Sequence, residues 1–275
     1  MTLTRREITA LLTAHGLAPR RALGQNFVVD PNTVRRIARL AAVGPADRVV
    51  EIGAGFGSLT LALRETGAAV TAVEVDRGIV PVLRSVVEPA GVTVVEGDAL
   101  ELDWGALLGD TTWVLVANLP YNVATPLVVR LLEEVPVISR MLVMVQAEVA
   151  DRLAAAPGSP AYGAVSAVVA WWASARVAGQ VPATVFLPRP KVASSLVTVE
   201  RRPPPELAVT YARFKEVVRA GFAHRRKMLR SSLDGVVDPA AFAAVGVAET
   251  ARAEELGLEE WGRLAAWTPN GPTPS

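Results

Sequence analysis

The sequence Val49-Val-Glu-Ile-Gly-Ala-Gly-Phe-Gly57, followed by Ser58-Leu-Thr-Leu-Ala-Leu63, decides the fold. An apolar stretch runs into a turn with alternate glycines, and an apolar-periodic stretch follows, which predicts a strand, a tight turn and a helix. Such a turn lets the backbone approach a nucleotide-like ligand. The spacing differs from the dinucleotide-binding fingerprint, and no Gly-Lys-Ser/Thr follows, so a dinucleotide site and a phosphate loop both lose support.

Two carboxylates follow the next two predicted strands. Glu74 ends the apolar stretch 69–74, and Asp98 comes just after the stretch 93–96. The carboxyl ends of the strands in a doubly wound sheet meet at one crevice, so both acids should face the glycine turn. Glu74 would then accept hydrogen bonds from the two hydroxyls of a ribose, and Asp98 one from an adenine amino group. Taken singly, each acid also fits a helix cap.

The tetrapeptide Asn118-Leu-Pro-Tyr121 ends another apolar stretch and indicates the chemistry. An exocyclic amino group on a planar ring is a poor nucleophile because its lone pair is delocalised into the ring. Hydrogen bonds from adenine N6–H to the Asn118 amide oxygen and to a main-chain carbonyl beside Pro120 would aim that lone pair outward. Tyr121 offers a flat face for an extruded base. The same residues also fit an Asx-type turn with a packed tyrosine.

A second aromatic residue is a candidate for the same base pocket. Phe186-Leu-Pro-Arg-Pro190 contains two prolines, which keep a segment out of helices and central strands. That rigidity would hold Phe186 as a second wall opposite Tyr121. The alternative is an edge loop in which Phe186 is merely packed.

The composition predicts a soluble, cytoplasmic protein. Of the 275 residues 51% are hydrophobic, two are histidines and none is cysteine. Disulfides and thiolate metal sites are therefore impossible, and we expect no bound metal. The N-terminus lacks the apolar core of a signal peptide, and no window approaches the roughly 18 apolar residues of a membrane span, so we expect no membrane association.

The net charge of +1 hides an uneven distribution. Residues 176–235 carry 12 Arg or Lys against 4 Asp or Glu, whereas the rest of the chain sums to −7. This asymmetry is typical of a segment that binds a polyanion, although a solvated face is the default alternative. Arg226 and Arg230 are spaced i, i+4, which would put them on one helical face suited to an RNA backbone. The candidate RNA-binding cations of this segment are Arg225, Arg226, Lys227 and Arg230.

The chain also divides into regions of different pattern. Residues 48–200 alternate predicted strands and helices, whereas residues 206–275 show helical periodicity without strand signals. We predict an α/β domain over residues 1–200, a stiff proline-rich linker over residues 201–205 and a small all-helical, RNA-binding domain over residues 206–275. The tail from Thr268 should be disordered.

Motifs along nearly the whole chain resemble those of the S-adenosylmethionine-dependent ribosomal RNA adenine dimethyltransferases, most closely the KsgA/Dim group that modifies small-subunit RNA. They are Gly24-Gln-Asn-Phe27, Glu51-Ile-Gly-Ala-Gly55, Glu74-Val-Asp76, Asn118-Leu-Pro-Tyr-Asn122, Gln146-Ala-Glu148, Tyr162-Gly163, Phe186-Leu-Pro-Arg-Pro-Lys-Val192 and His224-Arg-Arg-Lys227. The chain departs from the pattern at Ala54 and Phe56, where relatives commonly have Pro and Leu, but the glycines are intact.

The resemblance implies a Rossmann-like methyltransferase fold with a small C-terminal helical domain. It implies an S-adenosylmethionine site lined by Asn26, Val28, Gly53, Glu74, Asp98 and Asn118. It assigns the target base to Asn118, Leu119, Pro120, Tyr121 and Phe186, and it places Arg20 and Arg21 near the RNA, in a segment that folds over the donor. The implied partner is small-subunit (16S) ribosomal RNA in a partly assembled 30S particle, in which a monomeric enzyme dimethylates two adjacent adenines of a hairpin near the 3′ end.

The expected mechanism is direct in-line transfer, because an activated sulfonium methyl needs no covalent intermediate and the protein supplies alignment and electrostatics. Three alternatives remain open. A macrolide-resistance dimethyltransferase would share the chemistry and act on large-subunit RNA. A non-catalytic nucleic-acid-binding factor would share the scaffold, and the intact Gly53, Glu74, Asp98 and Asn118 argue against it. A small-molecule N-methyltransferase would leave the basic segment unexplained.

Overall fold

The computed structural model describes residues 2–224 and 227–269, and the chain forms two compact units. The first unit comprises Met1–Ala150 and Ala175–Arg201, and the second comprises Asp151–Ser174 and Arg202–Ser275. A boundary between the units therefore falls at the predicted linker. Residues 151–174 lie within the predicted α/β domain, but in the structure they belong to the second unit.

Aromatic packing explains where this segment belongs. Its helix, Ala164–Trp172, shares a core with the helix Tyr211–Phe222, and the ring centroids of Trp171 and Phe214 lie 4.5 Å apart. Burial of large aromatic rings contributes strongly to stability, so this contact holds the segment in the second unit. The sequence could not show it, because the two helices are far apart along the chain.

The first unit is built on a seven-stranded sheet, with a separate two-stranded sheet. In chain order the strands are β1 (Phe27–Val28), β2 (Arg48–Ile52), β3 (Ala69–Glu74), β4 (Thr93–Glu96), β5 (Trp113–Asn118), β6 (Ile138–Gln146), β7 (Ala173–Val181), β8 (Phe186–Leu187) and β9 (Ser194–Arg201). The order in the large sheet is β4-β3-β2-β5-β6-β9-β7, and β1 pairs with β8.

The four pairs formed by β2 to β6 are parallel, and β9 runs antiparallel to β6. The central strands read as unbroken apolar stretches because both faces of a parallel sheet are covered. Val49 and Val50, which point to opposite faces of β2, are both fully buried. The prediction of an α/β fold on a mostly parallel sheet is confirmed.

Twelve α-helices lie in the described residues. They are α1 (Arg5–Ala14), α2 (Pro31–Ala41), α3 (Ser58–Arg64), α4 (Val80–Val87), α5 (Trp104–Leu108), α6 (Ala124–Glu134), α7 (Ala147–Leu153), α8 (Ala164–Trp172), α9 (Tyr211–Phe222), α10 (Leu229–Ser232), α11 (Pro239–Ala244) and α12 (Leu258–Ala266). Local capping sets several starts: Asp30 accepts a hydrogen bond from Thr33 N–H at 2.8 Å, and Pro31 follows at the first helical position.

The proline-rich linker begins one residue later than predicted. Arg201 is the last residue of β9, and its guanidinium donates to main-chain carbonyls of residues 131–138, among them Leu132 at 3.0 Å. Residues 202–207 that follow are neither helix nor strand. The tail predicted to be disordered extends beyond Pro269 into residues outside the described part of the chain.

The basic helix predicted through Arg226 and Arg230 does not form as expected. The helix that carries Arg230, α10, begins at Leu229, and Met228 before it has an extended backbone with ψ of 150°. Arg225 and Arg226 lie outside the described residues. The i, i+4 argument therefore fails, because one helix does not continue back from Arg230 through Met228.

Within the described ranges, no helix has both the length and the apolar character needed to cross a membrane.

Candidate active site

The carboxyl ends of four neighbouring strands form one crevice in the first unit. Three cavities there are all lined by Gly53, which follows β2. The first cavity is also lined by Glu74, from the end of β3, and by Asn118, from the end of β5. The second is lined by Asp98, which follows β4, and the third is lined by Asn118. The structure thus brings together the four residues that the sequence predicted to meet.

The glycine turn gives the crevice its floor. Gly53 and Gly55 have φ angles of 73° and 56°, a backbone that side-chain-bearing residues rarely adopt. A side chain at Gly53 would begin 3.6 Å from the Asn118 carbonyl oxygen, inside the space that a ligand would use. Only glycine leaves the turn both correctly folded and open.

Glu74 is a buried carboxylate that organises the crevice wall. Its Oε2 accepts a hydrogen bond from Gly55 N–H at 2.8 Å, and its Oε1 accepts from Val75 N–H at 3.0 Å and Asp76 N–H at 2.9 Å. Burial raises the pKa of Glu74, and these backbone donors oppose the rise. The carboxylate therefore joins the glycine turn to the end of β3. Oε1 accepts two hydrogen bonds and Oε2 accepts one, so the remaining lone pair for a ligand hydroxyl is on Oε2.

Asp98 is bonded within its own turn. Its Oδ1 accepts a hydrogen bond from Leu100 N–H at 2.9 Å. It does not cap a helix, because α5 begins at Trp104 and is capped by Asp103. Asp98 also lines an apolar cavity together with Val75, Leu100 and Pro120. Val75 is 41% exposed, an unusual exposure for an apolar side chain beside a cavity. Val75 was not among the predicted site residues, although its position directly after Glu74 at a strand end indicates that it lies at the crevice.

Glu51 is a second buried carboxyl that sequence reasoning did not single out. It is 2% exposed, lines the cavity that contains Asn118, and its Oε2 has no hydrogen-bond partner among the described residues. Burial raises the pKa of Glu51 to about 8; the Thr60 side chain opposes the rise, and the charge of Glu74 adds to it. Its position in the sequence Val49–Gly57, two residues before Gly53, could have indicated that it lies at the crevice.

An N-terminal segment, Arg20 to Phe27, lies over the crevice and is held by Asp76. This buried carboxylate accepts a hydrogen bond from Gln25 Nε2 at 2.8 Å and pairs with Arg20 Nη1 at 3.3 Å. Gln25 Oε1 in turn accepts from Arg20 N–H at 2.8 Å. Arg20 is therefore bonded to the crevice wall, although its side chain is 58% exposed, and Arg21 is also exposed.

The same segment fits closely against the Asn118–Asn122 motif. Gly24 has a φ of 63°, and a side chain there would begin 2.9 Å from the Asn122 Oδ1 and the Pro120 Cβ. Asn118 Nδ2 donates to the main-chain oxygen of Asn26 at 2.9 Å. Because the amide nitrogen of Asn118 is held this way, its amide oxygen is left to accept a hydrogen bond from a ligand.

The main chain beside Pro120 offers one carbonyl for that ligand. The Pro120 oxygen already accepts a hydrogen bond from Val123 N–H at 3.1 Å. The Leu119 N–H donates to Met144 at 3.0 Å, but no donor in the described residues contacts the Leu119 oxygen. The Leu119 side chain is 1% exposed, so this residue would serve a base through its backbone.

Tyr121 lines the crevice with a fixed ring. Its hydroxyl lies 2.7 Å from Ser194 Oγ, at the start of β9, and Ser194 is fully buried. Burial raises the pKa of Tyr121, and the bond to Ser194 opposes that rise. Ser194 was missed because nothing in a lone serine signals a contact across 73 residues of sequence.

Phe186 does not occupy the place predicted for it. The residue is 1% exposed and belongs to the hydrophobic core of the first unit. The segment is also not a loop at this point, because Phe186 pairs with Val28 in the two-stranded sheet. Alternation along β8 turns the Phe186 ring into the core, so in this structure it is a packed side chain and not an exposed pocket wall. Its strand partner Val28, which is a predicted donor-site residue, does line a crevice cavity.

Lys227 and Arg230 are the described members of the predicted RNA-binding cluster. Both are exposed, and both belong to the second unit. The structure leaves them accessible to a polyanion.

Comparison with known proteins gives a consistent result. A model of the family described as "Ribosomal RNA adenine dimethylase" matches residues 16–269. Among similar sequences, "Ribosomal RNA small subunit methyltransferase A" of Acidothermus cellulolyticus is 46% identical over 96% of this chain and 93% of its own length. The protein of the same name from Magnetococcus marinus is 47% identical over 98% of this chain and 97% of its own length.

Solved structures show the same fold. A dimethyladenosine transferase from Plasmodium falciparum superposes with a TM-score of 0.72 at 21% identity, covering 86% of this chain and 94% of its own. The 23S rRNA methyltransferase ErmE superposes with a TM-score of 0.68 at 25% identity, covering 87% and 98%. The Rossmann-like methyltransferase fold is thereby confirmed. Because the family model spans most of the chain and near-full-length relatives are almost half identical to it, this protein belongs to the ribosomal RNA adenine dimethylase family.

Proposed function

We propose that this protein dimethylates N6 of two adjacent adenines in a hairpin near the 3′ end of small-subunit (16S) ribosomal RNA. S-adenosylmethionine is the methyl donor, and the enzyme acts as a cytoplasmic monomer on a partly assembled 30S particle. The observation that carries the proposal is Asn118: its amide nitrogen is bonded to Asn26, which leaves its amide oxygen to accept a ligand hydrogen bond, and the residue lines the crevice with Glu74 and the glycine turn. The names of the near-full-length relatives support small-subunit RNA as the substrate.

The residues of the crevice fit the parts of the donor. Glu74 would hold the ribose hydroxyls, and the apolar cavity with Val75 and Asp98 suits an adenine ring and its amino group. The unpartnered carboxyl oxygen of Glu51 suits the ammonium of the methionyl group. When bound, the donor supplies an activated sulfonium methyl group.

The protein then orients the nucleophile. Asn118 Oδ1 and the Leu119 carbonyl would accept the two N6–H hydrogen bonds, which turns the nitrogen lone pair toward the methyl group. The Tyr121 ring would stack on the base, and its hydrogen bond to Ser194 fixes the position of the hydroxyl end of that ring. The monomethylated amine retains one N–H, so the same acceptors can hold it for a second transfer.

Methyl transfer to ribosomal particles tests this proposal. Unmodified small and large subunits are incubated with the enzyme and tritiated donor, and the labelled nucleoside is identified after digestion. We expect label in small subunits only, as N6,N6-dimethyladenosine. Label in large subunits would support the macrolide-resistance alternative, and no label in either RNA would contradict the proposed activity.

A further inference from the structure

The segment 188–193 links two fixed points on the crevice wall and has no part in the chemistry described above. Before it, Leu187 lies opposite Phe27 in the two-stranded sheet. After it, Ser194 is bonded to the Tyr121 hydroxyl. Phe27 and Tyr121 both line the crevice, so the segment begins and ends at the crevice.

The segment carries two exposed cations and an exposed apolar side chain. Arg189 and Lys191 are both exposed, and neither forms an ion pair or hydrogen bond with any described residue. Some other arginines have acidic partners, such as Arg84 with Glu88 at 2.8 Å. Solvated cations are common, but here an exposed apolar side chain lies beside them: Val192 is 46% exposed. Two free cations next to an exposed apolar group match the chemistry of a nucleic-acid strand better than that of water alone.

Both cations lie within reach of the base pocket. Lys191 is three residues before Ser194, so their Cα atoms are at most about 11 Å apart. Arg189 is two residues after Leu187, at most about 7 Å along the chain. Pro188 and Pro190 fix φ at two of the intervening positions, which reduces the conformational freedom of the segment. Long basic side chains on so short a segment remain near the crevice.

We propose that Arg189 and Lys191 bind the phosphates that flank the target adenine, with Val192 packed against an adjoining ribose or base. This inference rests on the proposed function. An adenine taken out of its stack must have its backbone held on either side, and phosphate contacts fix position without reading sequence. Because phosphate contacts do not depend on the base sequence, the same two cations can hold the strand after it shifts by one nucleotide, which suits an enzyme that modifies two adjacent adenines.

The test compares two double variants of the full chain. Arg189→Gln with Lys191→Gln removes the proposed contacts, and Arg35→Gln with Arg39→Gln removes two exposed cations of α2 as the matched control. The probe is a hairpin RNA with two adjacent adenines. We expect the first variant to bind it at least tenfold more weakly than the control variant at about 0.1 M salt, with a salt slope shallower by about 1.4, or 0.7 for each lost phosphate contact. Donor affinity should be unchanged in both variants.

Equal RNA affinities and salt slopes for the two variants would overturn the inference. A second measurement replaces Val192 with a benzophenone-bearing residue and maps the crosslinked nucleotide. Crosslinks within a few nucleotides of the methylated adenines support the contact, and crosslinks confined to distant RNA contradict it. Wild-type activity on small subunits separates the two ideas: if it is present while the variants behave alike, only this inference fails, and if it is absent, the proposed function fails.

Discussion

At the scale of single residues, buried carboxyls make the stability of this protein depend on pH. Burial raises the pKa of Glu51 from 4.5 to about 8, so between these pH values the folded protein keeps a proton that the unfolded chain loses. As pH rises from about 4.5 to about 8, the free energy of unfolding should therefore fall, at up to about 1.4 kcal/mol per pH unit. Glu74, whose pKa is also raised, acts in the same direction.

Glu51→Gln should remove much of this pH dependence. The amide does not titrate, so the loss of stability between pH 5 and pH 8 should be smaller by a few kcal/mol than in the wild type. Urea unfolding at the two pH values measures the effect. An unchanged pH dependence in the variant would mean that Glu51 titrates normally in the folded protein.

Glu74→Ala should weaken donor binding by roughly 1.5–3 kcal/mol, the range of hydrogen bonds to a charged group. Glu96→Ala is the control, since Glu96 pairs with Glu74 in register at the end of the neighbouring strand but is exposed and bonded only to Arg77 among the described residues. Calorimetry on folded samples gives both affinities. Equal donor affinities in the two variants would remove Glu74 from the donor site.

The bond between Tyr121 and Ser194 predicts non-additive effects. Tyr121→Phe keeps the stacking ring but leaves the buried Ser194 hydroxyl unpaired, which should cost about 1–3 kcal/mol of stability while much of the activity remains. Adding Ser194→Ala should restore part of that loss. Tyr121→Ala should lose more transfer rate, by about the 1–3 kcal/mol of a base–aromatic stack. If the effects of Tyr121→Phe and Ser194→Ala on the free energy of unfolding are additive, the hydrogen bond between these residues contributes nothing to stability.

At the scale of elements, the two-stranded sheet fixes Phe186 in the core. Phe186→Ala should destabilise the protein by about 3–5 kcal/mol, whereas Phe186→Leu should cost much less because most of the apolar volume remains. Urea unfolding of the two variants checks this, with methyl transfer measured on the folded fraction. A normally stable Phe186→Ala protein that has lost methyl transfer would instead favour the exposed pocket wall that the sequence suggested.

Elements with strong local signals were predictable, and long-range contacts were not. The apolar stretch before Gly53 and the acid at Glu74 define β2, β3 and their shared crevice, because parallel strand ends converge by topology. The packing of Phe186 depends on its pairing with Val28, and the break before α10 depends on the backbone at Met228, neither of which periodicity reveals. The contact of Ser194 with Tyr121 likewise exists only in the folded chain.

At the scale of the whole molecule, the proposed function assigns chemistry and RNA attachment to different residues. The crevice groups that would orient N6 are uncharged amide and carbonyl groups, whereas the proposed RNA contacts are the exposed cations Arg189, Lys191, Lys227 and Arg230. Phosphate contacts dominate the affinity of most nucleic-acid-binding proteins. Substitution of a residue that would contact the reacting nitrogen should therefore lower turnover far more than it weakens RNA binding.

The most direct test of this account is single-turnover methyl transfer by Asn118→Ala, with donor and RNA affinities measured on the same protein. We predict that transfer falls by at least a hundredfold while RNA affinity stays within a few-fold of wild type, because the variant loses one of the two acceptors that orient N6. Asn122→Ala, in the same motif but exposed, is the control. An Asn118→Ala enzyme that dimethylates adenine at near the wild-type rate would contradict the central claim.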